Sequence, residues 1–202
     1  MTTKLFLRAS NNTGIVDGTV AYRDLLTTAG SSAANAIVDT QASGTEIQWT
    51  IDTTGDVEIQ WMGGYTPRGG FILTSVTVSI WAEESSSAAN CGGRVRLFKR
   101  SLAGVETEIA GGPFDDGVEL SAVGPAEMTW TANVTDTQFN LNDRPLLKIY
   151  ITNVGTMGGS QTCTLVYDAA DAATGDSFIE LAETVTFSAT QVPNTGLIGI
   201  FE

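Results

Sequence analysis

The side chains in this chain that could do chemistry are carboxylates and thiols, because it contains no histidine. That absence excludes Ser-His-Asp and Cys-His catalysis, histidine-ligated zinc and imidazole acid–base work by these 202 residues. The richest segment is Asp168-Ala-Ala-Asp171-Ala-Ala-Thr-Gly-Asp176. Asp168, Asp171 and Asp176 on one glycine-containing loop offer the oxygen ligands that calcium takes, which makes calcium the one candidate cofactor. Their spacing departs from an EF-hand loop, and Asp and Gly are equally the residues of an ordinary turn. Two further acidic groups, Glu83-Glu84 and Asp115-Asp116 with Glu119, raise the two-carboxylate chemistry of glycosidases. The sequence reads both as solvated turn residues of an acidic protein.

Cys91 and Cys163 do not make a disulfide framework. Cys91 lies in a Gly-rich loop and Cys163 within a predicted strand, so both are expected to be free thiols. No activating group stands next to Cys91. Trp49, Trp61, Trp81 and Trp130 all fall in alternating segments. Large aromatics there are ordinarily core, and Trp81, placed where its strand meets a loop, is the candidate for stacking on a sugar.

The elements that must position these groups are strands. Gly70 to Trp81 alternates, with Ile72, Val76, Val78 and Ile80 on one face and Phe71, Leu73, Ser75, Thr77, Ser79 and Trp81 on the other. After the small-residue loop 83–93, Val95 and Leu97 alternate with Arg94, Arg96 and Arg100, which predicts a hairpin with one basic face. Thr45–Ile51 and Val57–Trp61 flank Thr53-Thr54-Gly55 as a second hairpin. Lys4–Ala9, Val105–Ile109, Met128–Val134, Leu146–Val154, Thr162–Tyr167, Ser177–Leu181 and Glu183–Phe187 complete the set, with Val118–Leu120 as a short extra piece. Residues 11–44 read as an extended covering segment with one helical turn near Tyr22–Leu26. Residues 188–202 read as a tail whose Leu197, Ile198, Ile200 and Phe201 either close the protein's own sheet or contact a neighbouring subunit, in the second case by adding a strand.

The sequence therefore predicts one all-β domain over residues 1–202, a single antiparallel β-sandwich of jelly-roll type with roughly ten strands and almost no helix. Its formal net charge of −13 opposes non-specific nucleic-acid binding. No run of apolar residues is long enough to span a membrane. The start Met1-Thr-Thr-Lys4 leads directly into a strand, so no signal peptide is expected and synthesis is placed in a cytoplasm.

Several of these runs resemble structural proteins of tailed bacteriophages. They are Lys4-Leu-Phe-Leu-Arg8, Val78-Ser-Ile-Trp-Ala-Glu-Glu-Ser85, Cys91-Gly-Gly-Arg-Val-Arg-Leu-Phe-Lys-Arg100, Asp116-Gly-Val-Glu-Leu120, Met128-Thr-Trp-Thr-Ala132, Asn142-Asp-Arg144 and Gly175-Asp-Ser-Phe-Ile-Glu-Leu181, the last followed by Glu183–Phe187. The resemblance implies a non-enzymatic virion component, a capsid decoration, neck or tail protein, made in the host cytoplasm. Its partners would be other virion proteins and further copies of itself, and no catalytic residue is carried over. The alternative from the residues is a carbohydrate-binding β-sandwich with a glycan partner.

Overall fold

The computed structural model describes residues 1–10, 20–30, 34–40, 47–48, 58–64, 67–115, 117–155 and 161–188. Twelve strands form in chain order: β1 (Thr3–Leu7), β2 (Val20–Leu26), β3 (Asn35–Thr40), β4 (Ile47–Gln48), β5 (Glu58–Gly63), β6 (Phe71–Glu84), β7 (Cys91–Arg100), β8 (Glu106–Glu108), β9 (Ala126–Phe139), β10 (Arg144–Asn153), β11 (Thr162–Tyr167) and β12 (Phe178–Leu181). No helix occurs among the described residues, so the all-β class holds. Val, Ile, Thr and aromatic residues at a period of two explain it, since such side chains fit a pleated, half-buried surface.

Hydrogen bonding joins the strands in the order β3-β11-β6-β12-β1-β2-β5-β10-β7-β8. β9 lies on β6, and β4 lies on β10. The strand pairs are antiparallel except β2 with β5, which run parallel from Val20↔Glu58 to Leu25↔Gly63. The inner faces of the two ends of this sheet meet. Val76, Val78 and Ile80 of β6 and Met128 and Trp130 of β9 share one buried cluster with Val95 and Leu97 of β7 and Leu147, Ile149 and Ile151 of β10. At Gly93 of β7 an added Cβ would stand 3.3 Å from Ile80 Cδ1 and 3.5 Å from Met128 Sδ, so the absence of a side chain lets the layers approach.

The predicted hairpin over residues 70–100 does not form. β6 already has a partner on each edge: β9 along most of one, and β11 and β12 in succession along the other. β7 instead crosses to the second layer and pairs with β10 over its whole length. The other predicted hairpin is likewise replaced, because β4 and β5 both pair with β10, at Tyr150–Ile151 and Leu146–Lys148. The basic face of β7 is not simply solvated: β8 and its neighbourhood supply acids to it, in Arg96–Glu108 (3.8 Å), Arg100–Glu106 (3.7 Å) and Arg94–Asp115 (2.6 Å).

The expected helical turn at Tyr22–Leu26 is strand β2. Its side chains alternate between two apolar environments, Leu25 in the main core and Tyr22 in a second cluster with Met62 and Leu146. Burial on both faces overrides local propensity. Residues 11–44 therefore hold two strands, β2 and β3, and are no mere cover. Glu183–Phe187 is not a strand: it is held by an isolated bridge, Pro67↔Phe187, and by side-chain bonds such as the Val185 N–H to Thr3 Oγ1 at 2.7 Å. The face assignment in β6 also changes. Its register against β9 shifts between Leu73 and Ser75, so Leu73 is fully buried while Ile72 is 48% exposed.

The shifted register makes a quantitative prediction. Ile80→Ala, at a fully buried position, should cost about 2–5 kcal/mol in denaturant unfolding. Ile72→Ala should stay within about 0.5 kcal/mol of the parent protein. Equal losses at the two sites would show that the simple alternation, with both on the core face, is right.

Candidate functional site

Four reactive side chains converge where β6, β7 and β11 meet. β6 runs on to Glu84, whose backbone N–H donates to the carbonyl of Ser121 (2.9 Å). Glu84 is only 3% exposed, which corrects its reading as a solvated turn residue. Its Oε2 accepts the backbone N–H of Cys91 at 3.0 Å, so the carboxyl ties the end of β6 to the start of β7. Cys163 stands directly opposite Glu84 in the β6–β11 pairing. Cys91 and Cys163 are both free and both fully buried, and the Cys91 thiol donates to the Ala89 carbonyl at 3.8 Å. Glu119, bridged to Gly92, brings the second carboxyl to Glu84.

Burial is the main reason that the Glu84 carboxyl lies above the ordinary glutamate range. The Cys91 N–H pulls it down, while the hydrogen bond and charge of Glu119 push it up again. The Cys91 thiol is shifted down, chiefly by its hydrogen bond with Cys163, against burial and the charges of Glu84 and Glu119. Beside this group opens a cleft of about 510 Å3 lined by Glu83, Glu84, Ser85, Val123 and Thr164. A carboxyl whose proton is held more tightly than usual, beside a cleft, is a group that can take part in proton transfer.

The aspartate loop is built differently from a calcium site. Asp168 binds the Arg8 guanidinium through Oδ1, and its Oδ2 accepts from the Ala9 N–H (3.0 Å) and Asn35 Nδ2 (3.2 Å). Asp171 pairs with Lys4 at 3.4 Å. Asp176 is buried, accepts the Ala172 N–H at 2.7 Å and has its carboxyl shifted upward, mainly by burial. The three aspartates staple their loop to Lys4 of β1 and to Arg8 and Ala9 just past it, and among the described residues no group of three His, Cys, Asp or Glu side chains is placed to hold a metal ion.

Trp81 is half-buried and sits in mid-strand, not at a strand end, with Glu127 and Val166 opposite it. Its backbone N–H donates to Ser177 Oγ at 3.0 Å. Trp61 and Trp130 are core residues. Trp49, Asp116 and the tail residues Leu197, Ile198, Ile200 and Phe201 lie outside the described residues. A signal for the buried acid–thiol group was present in the sequence: Glu84 shares the parity of Val78, Ile80 and Ala82, and Cys91 that of Val95 and Leu97.

No family model matches this chain, and no curated protein matches it. Solved structures do. A CocE/NonD family hydrolase from Staphylococcus aureus aligns with 90% of this chain at a TM-score of 0.55 and 13% identity. An alpha-amino acid ester hydrolase aligns with 92% at 0.56 and 13% identity. An aminopeptidase from a marine sediment Thaumarchaeota archaeon aligns with 89% at 0.59 and 10% identity. The chain spans 36% of the length of each of these proteins. At such identities the likeness is one of fold. These neighbours overturn the expectation of a non-enzymatic virion component, a capsid, neck or tail protein, since the folds matched are those of hydrolases.

The raised Glu84 carboxyl fixes a sign. The folded chain binds this proton more tightly than the unfolded chain, so the contribution to stability is complete below the ordinary carboxyl range. It is lost as pH rises through the folded value. Glu84→Gln, which keeps an acceptor for the Cys91 N–H, should therefore gain stability over the parent near neutral pH and lose that advantage in acid. Urea unfolding across a pH series checks this, and parallel curves for the two proteins would contradict it.

Proposed function

We propose that this chain is the β-sandwich part of a hydrolase acting on ester or amide bonds. The observation that carries the reading is the alignment of about nine-tenths of the chain with only 36% of each hydrolase it resembles. The substrate class follows the named activities of those neighbours, amino-acid ester hydrolysis and aminopeptidase action. With no histidine in the chain, any Ser-His nucleophile or histidine-bound metal must come from polypeptide beyond these residues. What this chain contributes is a two-layered wall with a cleft lined by two acids, Glu83 and Glu84. A protonatable group there suits the wall of a substrate channel, where it can hold an amine or carbonyl in place.

The test uses the chain, tagged and isolated natively from the cells that make it, with p-nitrophenyl acetate and alanine p-nitroanilide as substrates. Hydrolysis of either should co-elute with the chain at a constant ratio through size-exclusion chromatography. The isolated 202-residue chain, assayed in parallel, should lose any turnover it shows on Glu84→Gln. A native isolate that is inert towards both substrates would overturn the reading.

A further inference from the structure

The outer face of the β6 layer carries an aromatic ring between two carboxylates. Ser79, Trp81 and Glu83 alternate along β6 with Val78, Ile80 and Ala82, which point into the core and are fully buried. Glu127 of β9 and Val166 of β11 stand directly opposite Trp81, so their side chains share its face. Glu127 leans along the strand and accepts the Ser79 hydroxyl at 2.6 Å, which holds its carboxylate on one side of the indole. Glu83, two residues further along β6, brackets the ring on the other side. Trp81 and Glu83 are half-buried and Glu127 is exposed. Beyond Glu83 opens the cleft of about 510 Å3, lined also by Ser85, Val123 and Thr164. The same face shows what such an arrangement holds. Lys4 Nζ lies 3.8 Å from the centroid of the Phe178 ring and pairs with Asp171 at 3.4 Å, and Phe178 stands opposite Ser79. There a ring and a carboxylate together take a cation from the chain itself. Among the described residues no Lys or Arg pairs with Glu83 or Glu127 or lies over the Trp81 ring.

We propose that Trp81, Glu83 and Glu127 form a binding site for an organic cation, a guanidinium group on a flexible stem such as that of arginine. The planar cation stacks on the indole, whose face is the most attractive of the aromatic side chains to positive charge. Its N–H groups donate to the carboxylates that bracket the ring, and charge-assisted hydrogen bonds of this kind are the stronger ones. A guanidinium suits the site better than a compact ammonium, because it is planar, stacks on aromatic faces and is less strongly hydrated. The stem runs past Glu83 into the cleft, where the Ser85 and Thr164 hydroxyls and the Val123 side chain line its path. The net charge of −13 draws cations towards the surface from a distance and makes the binding sensitive to salt. The site stands apart from the hydrolase reading, since it uses neither the Glu84 proton nor any catalytic group outside the chain.

The experiment titrates argininamide into the full chain and follows the backbone and indole N–H signals by NMR. Citrulline amide, which has the same shape but a neutral urea in place of the guanidinium, is titrated in parallel. Argininamide should shift the Trp81 indole signal and the amides of Trp81, Glu83 and Glu127 saturably, while the buried Trp61 and Trp130 indoles stay still. Citrulline amide should leave all of them in place, and added salt should weaken the argininamide response. Trp81→Leu should weaken binding about tenfold. Glu127→Gln, which keeps an acceptor for the Ser79 hydroxyl, should weaken it as well. Equal shifts with citrulline amide, an unmoved Trp81 indole at saturating argininamide, or undiminished binding by Trp81→Leu would each overturn the proposal. The indole signal of the unsubstituted chain decides this even if the variants fold poorly.

Discussion

The structure depends on a single strand whose two edges and inner face are all used. β6 gives one edge to β9 and divides the other between β12 and β11, while Val76, Val78 and Ile80 point into the core. No edge is left for the next strand in sequence, so β7 must cross to the opposite layer and find β10. The crossing turns one continuous sheet into two facing layers, and it is the step from which the rest of the topology follows. It also creates a junction at the end of β6 where backbone groups of two layers need partners. Glu84 supplies one by accepting the Cys91 N–H, and a buried carboxyl is the cost of that connection.

Charge elsewhere is handled with less strain. The basic outer face of β7 meets the acids of β8, and the aspartate loop meets Arg8 and Lys4 of the first strand and its flank. Most of these pairs are partly exposed and contribute modestly to stability. Glu84 differs, because it is a buried carboxyl that lines a cleft and has a second acid, the exposed Glu119, acting on it. Structural economy does not require that second carboxyl. A proton held there is what the proposed hydrolase wall has to offer a substrate.

Much of the fold was legible because alternation reports which face of a strand is buried. β6, β7, β9, β10, β11 and β12 fall where Val78, Val95, Trp130, Ile149, Leu165 and Ile179 repeat at a period of two. Alternation does not report which edge a strand will share, so both predicted hairpins failed, and the parallel β2–β5 pair left no local trace. Ile72 was misplaced because a register shift reverses parity without marking the sequence. At the site, the aspartates of residues 168–176 were visible and turned out to be staples. Glu84 was read as loop because Ser85 and its neighbours are turn-like, although the parity of β6 continues through it. The bond from the Cys91 N–H to the Glu84 carboxyl depends on the layer crossing and could not be seen before it.

The central claim is that the two layers form one core through β6 and β10 and do not fold as separate sheets. Native-state hydrogen exchange tests it most directly, by comparing the amides of Val78 and Ile80 in β6 with those of Leu147 and Ile149 in β10. The account predicts that all four exchange only through global unfolding, with the same opening free energy and the same denaturant dependence. Exchange of one pair through a smaller opening, with the other still protected, would show two separable sheets and contradict it.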